Sequence, residues 1–314
     1  MPTTIPREEP VFIFTIHRSG GTLLMRMLNC HPALVIWGEH GGFINKLADA
    51  DVMVRSLSDW LPVRSDEEIE EYVAFGEHWQ RSFQPHINPF AYSDFARWCH
   101  DLLTQGFSRG LNQGQRWGFK EIRYHRPSVA TFLERLFPAA KFIFLLRDPI
   151  ELCVSNILVK WSLTEVLAHG GGDDQESLRQ VVDDCLYAIL AKQTYFDEIQ
   201  RALPLKCICT RYETLVEFPE TEVARLLKFL DLPLQEDVRA RVKTVIAAVS
   251  GATVKNPADH HPVVNEQGIR RACGELLDRI AARIRTEAID TERLAGLADK
   301  GKYSFLVCQG SSGR

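Results

Sequence analysis

Five short apolar runs punctuate the chain: VFIFTI (11–16), LVIW (34–37), RWGFK (116–120), KFIFLL (141–146) and LKCIC (205–209). None alternates cleanly with polar residues, which predicts strands buried on both faces, as in a parallel sheet. Between them lie segments with apolar residues at helical spacing: GTLLMRMLN, PSVATFLERLF, PIELCVSNILVKW, SLRQVVDDCLYAILAKQTYFDEIQ and PETEVARLLKFLD. Strands alternating with helices predict an α/β fold of three layers, a central and mainly parallel sheet flanked by helices. Ligands of such sheets bind beyond the carboxyl ends of the strands.

Two stretches stand outside this rhythm. Residues 43–113 read as a helical insertion rich in aromatics: Trp60, Trp79, Phe83, Phe90, Tyr92, Phe95 and Trp98. Residues 164–177, TEVLAHGGGDDQES, carry three consecutive glycines among polar residues and read as a loop. The whole of 1–314 is expected to form a single domain, with 43–113 shaping an acceptor pocket.

Composition narrows the choice of ligand. The chain has 314 residues, and its net charge of −4 argues against a protein that coats nucleic acid. An anionic ligand would therefore need a local basic pocket. The start, MPTTIPREEP, lacks the apolar core of a secretory signal, and no apolar run has the length of a membrane span. The eight cysteines include no Cys-x-x-Cys pair and read as reduced thiols, with Cys207 and Cys209 on one strand face. No His or Cys set has zinc-ligand spacing, so no metal is expected, and the localisation expected is cytoplasmic.

The turn TIHRSGGT (15–22) carries the chemistry. A strand ends near Ile16 and a helix begins near Gly21, so backbone N–H groups with partial positive charge point out of the turn. Gly20 and Gly21 let the backbone approach an anion, Thr22 adds a hydroxyl, and Arg18 adds a forked charge suited to phosphate or sulfate oxygens. A plain strand–helix turn with an N-capping hydroxyl is the alternative. The lysine of G-x-x-x-x-G-K-[ST] is missing, since Gly21 precedes Thr22, and this argues against nucleotide hydrolysis. Downstream, FLLRDPIELCVSNIL (144–158) places Arg147 at a strand end. Asp148 is read as an N-cap, Pro149 as the first helical residue, and Ser155 as a sideways-pointing hydroxyl two turns into the helix. Arg147 and Ser155 could hold a second phosphate. Alternatively Arg147 pairs with a carboxylate and Ser155 bonds a carbonyl.

Taken together, RSGGTLLMRMLNCHPALVIWGEH, FIFLLRDPIELCVSNIL and CTRYETLVEFPETEVARLLKFLDLP resemble the sulfotransferases that use 3′-phosphoadenosine 5′-phosphosulfate (PAPS). The branch most similar is that of the tyrosylprotein and bacterial enzymes. The resemblance implies a P-loop-type fold. It implies that Arg18, Ser19, Gly20, Gly21 and Thr22 cradle the 5′-phosphosulfate and that Arg147 and Ser155 hold the 3′-phosphate. Tyr212 would line the nucleotide pocket, Glu39 would be the general base, and Lys120 would neutralise the transferring group beside Arg18. The acceptor would be a hydroxylated small molecule, lipid or glycan, PAP would be the product, and no metal would be required. Lys255, in SGATVKNP, is placed near the 3′-phosphate. The chain departs from the family at Gly21, where many relatives carry Thr or Ser, and at HGGF after Glu39, where the tyrosylprotein branch has an Arg-containing clamp. His17 is an alternative base. Two readings of other classes stay open: a small-molecule kinase with an atypical loop, and a non-catalytic nucleotide-binding protein on the same fold.

Overall fold

In the computed structural model, residues 9–60, 67, 91–124, 126–158, 175–250, 265–291 and 293–294 are described, leaving aside the side chains of 58–60, 177 and 249–250. Five strands, β1 (Val11–Thr15), β2 (Leu34–Trp37), β3 (Arg116–Glu121), β4 (Lys141–Leu146) and β5 (Cys207–Arg211), form one sheet in the order β2-β3-β1-β4-β5. Every pairing is parallel. β1 lies at the centre, and successive strands are laid down on either side of it.

The unalternating apolar runs are explained by two cores. On one face Val11, Ile13, Ile143 and Leu145 pack with α1 (Gly21–Leu28), and also with the helices that follow β5. Those helices are α7 (Tyr212–Glu217), α8 (Pro219–Phe229) and α9 (Glu236–Ser250). The intervening residues Phe12, Phe14, Phe119, Phe142 and Phe144 face the other way. There they meet α2 (Ile44–Trp60), α3 (Tyr92–Phe107), α4 (Pro127–Leu136), α5 (Pro149–Ile157), α6 (Gln175–Ala202) and α10 (Glu266–Thr286). Phe12 lies 4.7 Å from Phe119 and 5.4 Å from Phe142, ring to ring. Truncating such a buried ring costs about 3–5 kcal/mol. Gly118 sits inside β3 opposite Val11 and Ile36; a Cβ there would overlap the Val11 carbonyl and lie 2.8 Å from Ile36 Cδ1.

The predicted elements recur with small shifts. β5 starts two residues later than LKCIC, because Leu203–Lys206 is a turn that leaves Leu205 86% exposed. Its polar end is real strand: Thr210 is buried and its hydroxyl donates to Glu222. Asp148 caps α5 as expected, accepting from the N–H groups of Ile150 and Glu151, and Pro149 is the first helical residue. The insertion contributes α2 and α3, whose Ile44, Ala48, Cys99 and Leu103 join the core. Residues 61–66, 68–90 and 164–174, and with them Trp79, Phe83, Phe90 and the glycine triplet, lie outside the described residues. Helices α9 and α10 go beyond the sequence reading. α10 carries a plain helical stripe (Ile269, Cys273, Leu276, Ile280, Ile284) that buries against α6 and α5. The seven described cysteines are free thiols, six of them buried.

Candidate active site

The register brings the sequence motifs to one edge. Thr15 pairs with Leu145, so the turn after β1 leaves the sheet beside Arg147. Trp37 pairs with Phe119, so Glu39 leaves it beside Lys120 and Glu121. A cleft of about 300 Å³ opens there. Its walls include Arg18, Gly20, Gly21, Thr22, Glu39, Lys120, Arg147, Ser155 and Tyr212.

The turn is held from within. Ser19 is fully buried, and both its N–H and its hydroxyl donate to the Ile16 carbonyl, at 3.1 and 2.6 Å. Its hydroxyl also touches Thr15 Oγ1. The Ser19 side chain thus shapes the loop from behind. Arg18 adopts φ 66°, a left-handed backbone unusual for a side-chain-bearing residue. Its carbonyl accepts from Arg147 Nη1 at 2.8 Å, and its own Nε donates to Ser155 Oγ at 3.3 Å. The sideways hydroxyl of Ser155 therefore faces the cleft. Tyr212 closes the wall: the Arg147 guanidinium stacks 4.5 Å above its ring, and the ring edge occupies the space a side chain at Gly20 would need. Gly20, at φ 93°, is the N-cap of α1. A Cβ at Gly21 would come within 2.8 Å of Thr15 Cγ2 and 3.1 Å of Lys120 Cδ. The glycine that departs from the family pattern is thus the one beside which Lys120 passes.

On the other side of the cleft Glu39 is gripped by two cations. Its Oε1 contacts Lys120 Nζ, and its Oε2 lies 3.4 Å from Arg123 Nη1. Arg123 also binds the fully buried Glu121 at 2.6 Å. Burial pushes the Glu121 carboxyl up, but Arg123, His40 and the N–H groups of Ile122 and His40 outweigh it, and the net shift is downward. His40 lies among the rings of Phe43, Phe107, Phe119 and Tyr124, and burial holds it below the usual histidine range. His17 lines the cleft and donates from Nδ1 to Asn156 Oδ1 at 2.8 Å. Burial lowers its pKa, with Arg18 acting in the same direction.

Nearly all the residues expected of the site therefore converge. Lys255 lies outside the described residues. Arg123, Glu121 and Asn156, the partner of His17, are additions. The signal for the first two was present in FKEIR: a buried apolar strand ending in three charged residues within four positions.

Protein-tyrosine sulfotransferase A of Caenorhabditis elegans is 25% identical over 255 residues, 81% of this chain and 58% of its own. The protein-tyrosine sulfotransferase of Drosophila melanogaster is 27% identical over 233 residues, 74% of this chain and 40% of its own. The chain thus spans about half the length of these relatives. Among solved structures, a mouse sulfotransferase complexed with PAP is similar at a TM-score of 0.47 and 10% identity, over 93% of this chain and 90% of that one. A model of the sulfotransferase family matches residues 10–236, from the start of β1 to the start of α9 and so across the sheet and the whole described cleft: the chain belongs to the sulfotransferase family.

Proposed function

We propose that this chain transfers a sulfuryl group from PAPS to a hydroxyl acceptor, with Glu39 as general base. One observation carries the reading. Arg18, Lys120 and Arg147 converge with the α1 N-terminus on a single cleft, and a carboxylate stands among them. The residues fit the donor. The exposed Arg18 side chain, Thr22 and the N-terminal N–H groups of α1 suit the 5′-phosphosulfate. Arg147 and Ser155 suit a 3′-phosphate, and the Tyr212 ring offers a face beside it. Arg147 Nε is buried without a partner among the described residues, a donor left for a ligand to satisfy.

When bound, PAPS supplies the sulfuryl group and leaves as PAP. Glu39 takes the acceptor proton as the acceptor oxygen bonds to sulfur and the bond from sulfur to the 5′-phosphate oxygen breaks. Lys120 and Arg18 balance charge developing on the leaving and equatorial oxygens. Glu39 is 31% exposed while Lys120 is 5% exposed, so the base is reachable from the acceptor side and the lysine only from within the cleft. The exposed faces of Trp37 and Phe43 flank the loop that bears Glu39, and they favour an acceptor with an apolar body.

The test is transfer of radiolabel from PAPS across a panel of hydroxylated metabolites, lipids and glycans, with PAP binding measured by calorimetry. Label transfer to a hydroxyl that disappears in Arg18→Ala supports the reading. Magnesium-dependent transfer from ATP without PAP binding would replace it with the kinase, and PAP binding without transfer to any acceptor would leave a binding protein.

A further inference from the structure

We propose that Arg123 is a positioning residue for Glu39, anchored by Glu121 and admitted by Gly42. The inference rests on the reading of Glu39 as the base. Glu39 meets two cations, one on each oxygen. Lys120 has a second task at the transferring group, and when it turns there Oε1 is released. Arg123 stays where it is. Its side chain is 10% exposed, and Nη1 is shared between Glu39 and the buried Glu121. The two N–H bonds of a planar guanidinium nitrogen are fixed in direction and suit that double engagement, whereas the head of a lysine rotates on a flexible stem.

Glu121 in turn holds the loop that carries the base. Its Oε2 accepts from the N–H groups of His40 (3.2 Å) and Gly42 (3.0 Å), and its Oε1 from those of Ile122 (2.9 Å) and Arg123 (3.3 Å). One buried carboxylate therefore fixes both the backbone after Glu39 and the guanidinium that touches the Glu39 side chain. Tyr124 adds a further tie, its hydroxyl meeting His40 Nε2 at 2.5 Å and accepting from the Ile44 N–H at 3.1 Å. Gly42 completes the device. It adopts φ 71°, and a Cβ there would lie 2.8 Å from Arg123 Cδ. The HGGF segment is thus what lets an arginine from the end of β3 reach the base. With Oε2 held by Arg123, Oε1 becomes the oxygen that receives the acceptor proton.

The test compares Arg123→Lys, Glu39→Gln and the double variant, reading kcat and acceptor KM alongside PAP affinity by calorimetry. Arg123→Met leaves the Glu121 charge unpaired and could fail to fold, so it is made only with Glu121→Gln. The expected result for Arg123→Lys is a kcat lower by about 100-fold, as for other misplacements of a catalytic group, with unchanged PAP affinity. In the Glu39→Gln background Arg123→Lys should cost nothing further, and the Arg123→Met/Glu121→Gln pair should behave likewise. Losses that multiply between Arg123 and Glu39, or a parallel fall in PAP affinity, would overturn the positioning role and leave the base assignment standing. Full turnover by Glu39→Gln would remove the base assignment, and this inference with it.

Discussion

The two sides of the cleft hold their positive charges differently. On the donor side Arg18 rests on a serine hydroxyl, and Arg147 rests on a carbonyl and an aromatic ring. Among the described residues neither is in an ion pair with a carboxylate. On the base side Lys120 and Arg123 are both paired with carboxylates. A cation held by neutral partners keeps its charge available to an incoming anion, whereas a paired cation must exchange one partner for another. On the function proposed above, the donor side is arranged for binding and the base side for a change of partners during turnover.

That contrast can be broken most sharply at Glu39. Glu39→Gln should lower kcat by roughly 10²- to 10⁴-fold while calorimetric PAP affinity stays put; a matching loss of affinity would erase the distinction between the sides. The opposite pattern is expected at Arg147. Arg147→Ala should weaken PAP binding by about 1.5–3 kcal/mol, and most of the preference for PAP over adenosine 5′-phosphate should go with it. Loss of both nucleotides in equal measure would move Arg147 away from the 3′-phosphate. Gly20→Ala probes the hinge of the donor wall. A methyl there overlaps the Tyr212 ring and strains a backbone at φ 93°, so guanidinium unfolding should report about 1–3 kcal/mol of lost stability.

The smallest effect is in acid. His17 lies among Asn156, Arg18, Glu39 and Lys192, and its pKa is lowered in the folded chain, as are those of His31 and His40. The unfolded chain therefore takes up protons first, and stability should decline as pH falls below about 6.5, less steeply in His17→Gln. Glu121, with a folded pKa also lowered, is stabilising above about pH 4.5, and its contribution is lost as pH falls through that range. Melting curves of Glu121→Gln should thus diverge from the parent in slope in the lower window, and in the histidine window through His40, whose pKa Glu121 raises.

Most of the donor side was legible in the sequence because its chemistry is local. TIHRSGGT and LLRDP each place a strand end, a cap and a cation within a few residues, and a parallel sheet brings such strand ends together. Four of the five strands begin where the apolar runs do, since burial on both faces leaves no other use for them. The inward turn of the Ser19 hydroxyl was not legible, because an inward and an outward hydroxyl look the same in one dimension. Arg123 and Glu121 were missed because the groups they hold in the Glu39 loop lie 79 to 84 residues away, in a segment whose sequence, HGGF, advertises only flexibility. The stripe of α10 was visible by period alone but carried no motif.

Gly118 has a consequence for anyone who alters this chain without a map. It touches no ligand and carries no charge, yet a side chain at that point would push β1 and β2 away from β3 and separate the strand ends that bear Arg18, Glu39 and Lys120. A mutational scan scored only by product would give Gly118 the same mark as the base. A parallel scan of soluble yield would tell them apart, since Glu39→Gln should leave the yield intact and substitutions at Gly118 should not.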